Sequence, residues 1–231
     1  VYIDDIRLYP KTPEYIEPIE PASTNLVARY SFEEGTGAVV QDSSGLGNHG
    51  EARGNFQRID GISGSALQLS SGGYVVIDAI APYIPDNTIT FSAWIQTTNV
   101  ASSHGCVLAP NDSDSGYSLQ VGVQNGNIFV WDGSRVEYPP SIANGEWHHV
   151  TYVMDVDTAY IYVDGMERGR WATTRNFTSM TRWSLGQEWD ATTASDFYTG
   201  AVDEVMFFSE ALSAEEVLWL AGMRTPRQKP L

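Results

Sequence analysis

The stretch of sequence that decides the fold is residues 147–165, WHHVTYVMDVDTAYIYVDG, which contains two apolar runs. Aromatic and β-branched residues dominate both runs, and such a composition is typical of β-strands. The second run ends at Asp164-Gly165, a dipeptide that readily adopts the left-handed backbone conformations of a two-residue hairpin turn. This region therefore predicts antiparallel strands that are joined by tight turns.

Similar short runs recur along the chain between clusters of Gly, Asn, Asp and Pro. They are LVARYSF, SALQLS, YVVI, ITFSAWIQT, YSLQVGV, NIFVWDG, WSLG and GAVDEVMFF. One segment, SAEEVLWLAGM, has the pattern of a helix, because Ser213 and Glu216 form a capping box ahead of an apolar run. Many short strands at this spacing indicate a sandwich or a barrel. We therefore expect an all-β, two-sheet antiparallel sandwich with one short C-terminal helix.

The composition fits a folded domain that carries a strong negative charge. The 231 residues are 42% hydrophobic and 12% aromatic, which is enough to bury a core. The net charge of −16 would repel nucleic acid and an anionic membrane surface, so neither is expected as a partner. No apolar run is long enough to span a bilayer, which argues against membrane insertion. The single cysteine, Cys106, allows no internal disulfide and is expected to be a small buried hydrophobe.

The two ends of the chain differ in composition from its body. Residues 1–10, VYIDDIRLYP, have strand composition and echo residues 202–209, so we predict that they are the terminal strand of a preceding, lost β-domain. Residues 11–24 are rich in Pro and Glu and are expected to form an extended linker. The folded domain is expected over residues 25–222, and residues 223–231 are expected to be a tail. The chain begins without Met and is interpreted as a piece of a larger protein.

Four stretches, in this order, carry a resemblance to a known family: RYSFEEGTGAVVQDSSGLGNHG, ITFSAWIQT, GEWHHVTYV with AYIYVDG, and TGAVDEVMFFSEALSAEEV. Over residues 26–222 the chain resembles the laminin-G-like jelly-roll domains of the concanavalin A-like lectin and glucanase superfamily. The resemblance implies a jelly-roll fold and a module that is appended to secreted or surface proteins of bacteria. This fold hosts lectins, glycosidases, adhesion modules and inert spacers, so the resemblance does not name a ligand.

The resemblance also implies one structural Ca²⁺ site where the beginning and the end of the domain meet. The residues at the matching positions are Glu33, Asp42, Asn48 and Asp203. Ca²⁺ takes six to eight oxygen ligands, and residues 42–48, DSSGLGN, gather an acid, two hydroxyls and an amide in a glycine-rich loop. The alternative is that Asp42 and Asn48 only stabilise turns through side-chain hydrogen bonds.

The signatures of enzymes are incomplete in this sequence. Glucanases of this fold carry three carboxylates on one strand, whereas residues 188–190, EWD, are followed by Thr at 192 and 193. His148 and His149 are adjacent, so on a strand they point to opposite faces and cannot chelate one metal ion together. Residues 45–50, GLGNHG, match G-x-G-x-x-G but lack the preceding strand and the following helix of a nucleotide site. We therefore expect no catalytic residues.

Sugar binding needs aromatic faces beside polar groups in an open groove. The predicted ligand-binding residues are Trp131, Arg135, Trp189, Asp112 and Asp114. Tyr138 and Trp171 are further candidates, because they lie at strand ends or in polar loops. Three other tryptophans lie in apolar patterns and are expected in the core: Trp94, Trp147 and Trp219.

Together these features predict a non-catalytic carbohydrate-binding or adhesion module of a larger secreted bacterial protein, stabilised by a structural Ca²⁺. Its expected partners are a glycan or polysaccharide and the neighbouring domains of the parent protein, and its expected location is secreted or at the cell surface. Two alternatives stay open at this point. One is a glycoside hydrolase or lyase on the same fold, and the other is a spacer domain that binds no sugar.

Overall fold

The computed structural model describes residues 15–112, 119–225 and 227–228. The predicted terminal strand of residues 1–10 and the predicted ligand Asp114 lie outside the described residues. The strands in the described part of the chain are, in chain order, β1 (Tyr15–Ile16), β2 (Leu26–Tyr30), β3 (Val39–Val40), β4 (Gly50–Arg53), β5 (Phe56–Asp60), β6 (Ser65–Leu69), β7 (Tyr74–Val76), β8 (Thr88–Gln96), β9 (Gly105–Asp112), β10 (Gln120–Gln124), β11 (Asn127–Trp131), β12 (Arg135–Tyr138), β13 (Trp147–Asp155), β14 (Thr158–Val163), β15 (Met166–Ala172), β16 (Met180–Leu185), β17 (Glu188–Asp190), β18 (Thr193–Ser195), β19 (Gly200–Phe208) and β20 (Arg227–Gln228). The α-helix, α1, spans Ala214–Leu220, and short 3-10 helices span Ser23–Asn25 and Asp78–Tyr83.

Two large antiparallel sheets form the sandwich. The first sheet has the strand order β12-β11-β10-β9-β16-β7-β4-β3. The second has the order β15-β14-β13-β8-β19-β6-β5, and β2 also pairs with β19. Because β6 pairs with β19 along residues 200–202 and β2 pairs along residues 205–208, these two strands share one edge of β19. The predicted two-sheet antiparallel jelly roll with one short helix is confirmed.

The hairpin that opened the sequence argument is formed by β14 and β15. Asp164 and Gly165 have φ angles of 52° and 72°, the left-handed conformations that the Asp-Gly turn was expected to supply. A Cβ at residue 165 would also lie 2.8 Å from the side chain of Leu218 on α1. Glycine is therefore required there both by the turn and by the close approach of the helix.

The main core lies between the two sheets. Trp183 of β16 is fully buried, and its ring packs edge-on against Phe207 of β19 at 6.2 Å between centroids, so it joins the two sheets. The core placement expected for Trp94 and Trp147 was wrong, because both are only half-buried. Trp219 is also half-buried, but it packs against the hydrophobic cluster beside α1. For Trp94 the reason is strand alternation. Its neighbours Ala93 and Ile95 fill the core, so its own side chain lies on the outer face of the second sheet.

Helix α1 covers part of that outer face. The predicted capping box is present: Ser213 Oγ accepts a hydrogen bond from Glu216 N, and Glu216 Oε2 accepts one from Ser213 N. Such a cap typically stabilises a helix by about 1 kcal/mol. The side chains that pack between the helix region and the sheet are Val153, Tyr162, Phe208, Leu212, Val217 and Leu220.

The outer face of the first sheet is partly covered by the connection between β16 and β19, which contains the β17–β18 hairpin. Cys106 N donates a hydrogen bond to Asp196 O at 2.8 Å, and Asn111 Nδ2 donates to Trp189 O at 3.2 Å. Cys106 is fully buried, as expected, and it clusters there with Ala109, Phe129 and the half-buried Trp131. This face therefore has a small apolar patch of its own.

The described ends of the chain lie together. β1 and β20 pair in an antiparallel two-stranded sheet, with Tyr15 opposite Gln228 and Ile16 opposite Arg227. Ile19 N then donates to the carbonyl of Glu215 in α1 at 3.0 Å. The described part of the predicted linker therefore contacts the domain. No helix among the described residues has the length and apolar character needed to cross a membrane.

Candidate ligand-binding cleft and candidate calcium site

A cleft of about 730 Å³ opens at one end of the sandwich. It lies where the ends of β9 and β11, the β13–β14 turn, the segment after β15 and the start of β16 come together. Trp131, whose ring also packs against the apolar patch on the outer face of the first sheet, is part of its wall, and Asp112, Asp132, Asp157 and Arg175 contribute charged groups. An aromatic surface beside a few polar groups is the usual composition of a pocket for small ligands.

An ion pair between Asp132 and Arg175 lies in the wall of the cleft. Arg175 Nε donates to Asp132 Oδ1 at 2.8 Å, and Nη2 lies 2.6 Å from the same oxygen. Trp171 Nε1 donates to the other oxygen, Oδ2, at 3.0 Å. The two charged side chains are only 8% and 10% exposed, so solvent screens the pair weakly. The pair is thus a preorganised part of the cleft.

The electrostatics of Asp132 follow from these contacts. Burial alone would raise the pKa of its carboxyl group, but hydrogen bonds from Thr173 and Trp171 and the charge of Arg175 lower it below its usual value. Asp132 is therefore ionised at neutral pH and accepts hydrogen bonds. The ring of Trp171 stacks on Tyr138 with 6.1 Å between centroids, which fixes its N–H donor in place.

Of the four described residues that were predicted to bind a ligand, two line this cleft and two do not. Trp131 and Asp112 are part of its wall. Arg135 instead lies over the ring of Phe129 at 5.1 Å, on the outer face of the first sheet.

Trp189 also lies away from the cleft lining. Its ring is held between Tyr74, at 5.9 Å between centroids, and the guanidinium of Arg182, at 5.4 Å. Sequence reasoning missed Arg175, which lies in the polar stretch WATTRN at residues 171–176. A polar segment directly after a strand was the available signal, but it does not reveal the partner, Asp132, which lies directly after β11.

The first half of the predicted calcium site is a hydrogen-bonded loop. Asp42 Oδ1 accepts from Arg29 N and Ser44 N at 2.9 and 2.8 Å, and Oδ2 accepts from Asn48 N at 2.9 Å and from Ser44 Oγ at 2.7 Å. Burial would raise the pKa of Asp42, but these hydrogen bonds lower it below the usual value. Asn48 Nδ2 donates to Val27 O at 2.8 Å. In the described structure these hydrogen bonds hold the loop in shape.

The second half, Glu33 and Asp203, meets at the turn between β5 and β6. Glu33 Oε1 accepts from Ser65 N at 2.8 Å, and Asp203 Oδ2 accepts from Ser63 N at 3.2 Å. A Cβ on either glycine of this turn, at position 61 or 64, would overlap with the carboxylate of Asp203 or Glu33 respectively. The two acids are thus seated in a backbone cradle that only glycine leaves open. Across the described residues, no three carboxylates including Asp42 bring their oxygens within 4.8 Å of one another.

Asp203 is buried without a nearby counter-charge of its own. Burial raises its pKa to about 6, and the neighbouring negative charge of Glu204 acts in the same direction. Hydrogen bonds from Ser63, Glu204 and Ile62 oppose these effects but do not outweigh them. A cation at this turn would favour the ionised form, so the chemistry of Glu33 and Asp203 fits a hard divalent ion.

The groups that suggested catalysis are held by structural contacts. Glu188 is buried, and its carboxylate accepts hydrogen bonds from Asn111 Nδ2 and Ser195 Oγ, each at 3.3 Å. Burial raises its pKa, and nearby acidic charges add to the effect. His148 bonds Asp164 at 2.9 Å, whereas His149 is buried on the other face and contacts Ser92. The expectation that the two histidines point to opposite faces is confirmed.

Solved structures of binding domains share this fold. Domain 4 of AbnA, a GH43 extracellular arabinanase from Geobacillus stearothermophilus that was solved with arabinotriose, is 18% identical, with a TM-score of 0.70 over 85% of this chain and 98% of that domain. The binding domain of Paraclostridial Mosquitocidal Protein 1 is 15% identical, with a TM-score of 0.67 over 86% of this chain. A structure of botulinum neurotoxin type C, whose cell entry depends on two ganglioside molecules, is 16% identical, with a TM-score of 0.67 over 87% of this chain.

This chain spans about half the length of the two toxin chains, 52% and 51%. At these identities the similarity shows the fold. The comparison with curated proteins finds no match. A laminin G family model of the Concanavalin A-like lectin/glucanases superfamily matches residues 69–218 of this chain. This agrees with the resemblance found in the sequence and with the two-sheet jelly roll, and the chain belongs to this superfamily.

Proposed function

We propose that this domain binds a neutral oligosaccharide in the cleft beside Trp131 and that it does so without catalysis. The observation that carries the proposal is that the half-buried Trp131 and the preorganised Asp132–Arg175 network lie in the wall of one cleft. A sugar ring offers an apolar face to an aromatic side chain and hydroxyl groups to fixed donors and acceptors.

The charge of the cleft supports a neutral ligand. The wall of the cleft contains three acids, Asp112, Asp132 and Asp157, and one base, Arg175. Arg175 is paired with Asp132. The whole chain carries −16, so an anionic polysaccharide would be repelled both by the molecule and by the cleft. The arabinotriose complex of the arabinanase domain, which has the same fold, is consistent with such a ligand.

The wider setting is part of the same proposal. The domain serves as a carbohydrate-binding or adhesion module of a larger secreted or surface protein of bacteria. The arabinanase that contains the similar domain 4 is extracellular, and this supports an extracellular location here. Neighbouring domains of the parent protein are the other expected partners.

A structural Ca²⁺ is the second part of the proposal, with Glu33 and Asp203 as its side-chain ligands. The support is the glycine-lined cradle that holds both carboxylates and the raised pKa of the buried Asp203. When bound, the ion would supply the positive charge that this buried acid lacks. Asp42 and Asn48 would keep the adjoining loop in shape, because their polar atoms bond within that loop.

A glycan array of the wild-type domain tests sugar binding, followed by titration of the best glycan against two matched variants. Trp131→Ala removes the ring from the cleft and should weaken binding by at least about tenfold, equivalent to about 1.4 kcal/mol. Trp189→Ala removes an equally large, half-buried ring outside the cleft and should leave affinity unchanged. Thermal melts of both variants check that each one is folded.

Three other results would contradict the proposal. Absence of binding to every glycan on the array would favour a spacer domain. Release of reducing sugar from a bound polysaccharide would favour a glycoside hydrolase or lyase. An equal loss of affinity in both tryptophan variants would place the binding site on the outer face of the first sheet.

A further inference from the structure

A second cluster of side chains lies on the outer face of the first sheet, and the proposed sugar site does not use it. His104, Cys106 and Asp196 bring one imidazole nitrogen, the thiol sulfur and one carboxylate oxygen within 4.8 Å of one another. His104 Nε2 is 2.6 Å from Asp196 Oδ2. Within residues 15–112, 119–225 and 227–228, this is the one group of at least three His, Cys, Asp or Glu side chains that meets so closely.

The backbone fixes all three members. Cys106 lies inside β9, and its N–H donates to Asp196 O at 2.8 Å, so the two residues are held side by side. Asp196 has a φ of 45°, a left-handed conformation that a non-glycine residue adopts only at a cost. The ring of His104 packs edge-on against Phe129 at 5.3 Å between centroids. The cluster is therefore built on a strand and its cover, and not on freely moving side chains.

The three groups match the ligands of one class of metal ion. Zn²⁺ is bound by thiolate sulfur at about 2.3 Å and by imidazole nitrogen and carboxylate oxygen at about 2.0–2.2 Å. Tetrahedral geometry at these bond lengths separates the ligand atoms by roughly 3.3–3.7 Å. Side-chain shifts of about 1 Å would therefore bring the three atoms to the separations that a bound Zn²⁺ requires. Ca²⁺ prefers oxygen ligands, so the sulfur and nitrogen of this cluster select against it.

We propose that His104, Cys106 and Asp196 form a binding site for a divalent transition-metal ion of the zinc type. On binding, the Cys106 thiol releases its proton to solvent and the sulfur becomes a thiolate ligand, with no change of oxidation state. Three protein ligands leave a fourth position for water or another donor. The partly exposed side chains, His104 at 17% and Asp196 at 31%, offer the ion a path from solvent to the buried sulfur.

One neighbour would have to move. Arg135 Nη2 lies 3.0 Å from the same Nε2 atom of His104 that faces Asp196. This nitrogen has a single bonding direction in the ring plane, so it cannot both accept from Arg135 and donate to Asp196. Arg135 is exposed, and its side chain can rotate into solvent. Replacement of the guanidinium by a metal ion would give Nε2, Oδ2 and Sγ one common partner.

Cobalt binding is the most direct test, because Co²⁺ occupies zinc sites and a thiolate–Co²⁺ bond gives a charge-transfer absorption that oxygen and nitrogen ligands do not. The wild-type domain is titrated with Co²⁺ and then with Zn²⁺ in buffer that contains excess Ca²⁺, which keeps any calcium site filled. We expect one equivalent of Co²⁺ to bind with the thiolate band, and we expect Zn²⁺ to displace it.

Variants separate the proposed site from other metal-binding groups. Cys106→Ser should remove the thiolate band, and His104→Ala and Asp196→Asn should each weaken Zn²⁺ binding by at least about tenfold. Asn tolerates the left-handed backbone at position 196, so that variant should fold. His148→Ala is the matched control, because His148 forms a similar pair with Asp164 that has no adjacent thiol.

The result that would overturn the proposal is a wild-type titration without a thiolate band. Zn²⁺ affinity that stays the same in the folded His104→Ala and Asp196→Asn variants would also overturn it. An equal loss in the His148→Ala control would assign the bound metal to exposed histidines.

Discussion

Asp132 and Asp203 are two buried carboxylates whose surroundings differ in charge. The side chain of Asp132 is 8% exposed and pairs with Arg175, which helps to lower its pKa. Asp203 is fully buried, has the acid Glu204 as its sequence neighbour, and has a pKa that is raised to about 6. Burial acts in the same direction on both, so the hydrogen bonds and the nearby charges together decide the outcome. The comparison shows that Asp132 is paired with a cation, whereas at the second site the cation Arg29 pairs with the neighbouring Glu204 at 2.8 Å.

The largest effect should follow from removal of the cation at Asp132. Arg175→Met leaves a buried, unpaired carboxylate, so the free energy of unfolding should fall by about 3 kcal/mol. The measurement is urea denaturation at pH 7. Arg170→Met is the matched control, since its partner Glu167 lies at a similar distance but the pair is 66% and 35% exposed, and its loss should stay below about 1 kcal/mol. Equal losses in both variants would show that burial does not distinguish the two pairs.

Addition of a cation at Asp203 should give the next largest effect. Ca²⁺ at 100 times its dissociation constant should stabilise the wild-type domain by about 2.7 kcal/mol, and chelator should reverse this. Thermal melts with and without Ca²⁺ should show the response in Asp42→Asn but not in Asp203→Asn or Glu33→Gln. A wild-type melting temperature that does not change with Ca²⁺ or chelator would contradict the proposed calcium site. Loss of the Ca²⁺-dependent stabilisation in Asp42→Asn would show that the ion binds at the 42–48 loop.

A smaller effect should appear when pH is varied without Ca²⁺. The pKa of Asp203 is about 6 in the folded state and about 3.9 in the unfolded state, so the folded state holds the proton more tightly. Between pH 4 and pH 6 the unfolded state loses this proton first, and the wild-type domain should therefore lose about 2 kcal/mol of stability relative to Asp203→Asn as pH rises. Urea unfolding across this range in chelator provides the measurement. Parallel pH profiles for the two proteins would contradict the raised pKa.

Local sequence signals predicted much of the fold. Asp164-Gly165 has one good backbone solution, a tight hairpin turn, and Ser213 with Glu216 has an evident role at a helix start. β9 was missed because it contains Pro110, and proline inside an apolar run argues against a central strand. Pro110 nevertheless lies in regular register opposite Trp183 of β16.

The candidate cleft was only partly predictable, because its polar network is non-local. Trp131 was predicted from its place at a strand end or in a polar loop and Asp112 from its place in an acidic loop, but the bond between Asp132 and Arg175 joins residues 43 positions apart. The calcium residues showed the reverse problem. The family resemblance implies one site, and its residues make separate contacts in the structure: Asp42 bonds within its own loop, and Glu33 and Asp203 bond to the turn between β5 and β6.

The pairing of β1 with β20 has a consequence for how the domain responds to a pull. Tyr15 and Gln228 form the outermost pair of this antiparallel ladder, so a force that separates them opens the ladder one residue pair at a time. Two-stranded pairings this short contribute little stability by themselves. Tension on the two strands would therefore peel them apart first, while the larger sandwich and its cleft stay folded.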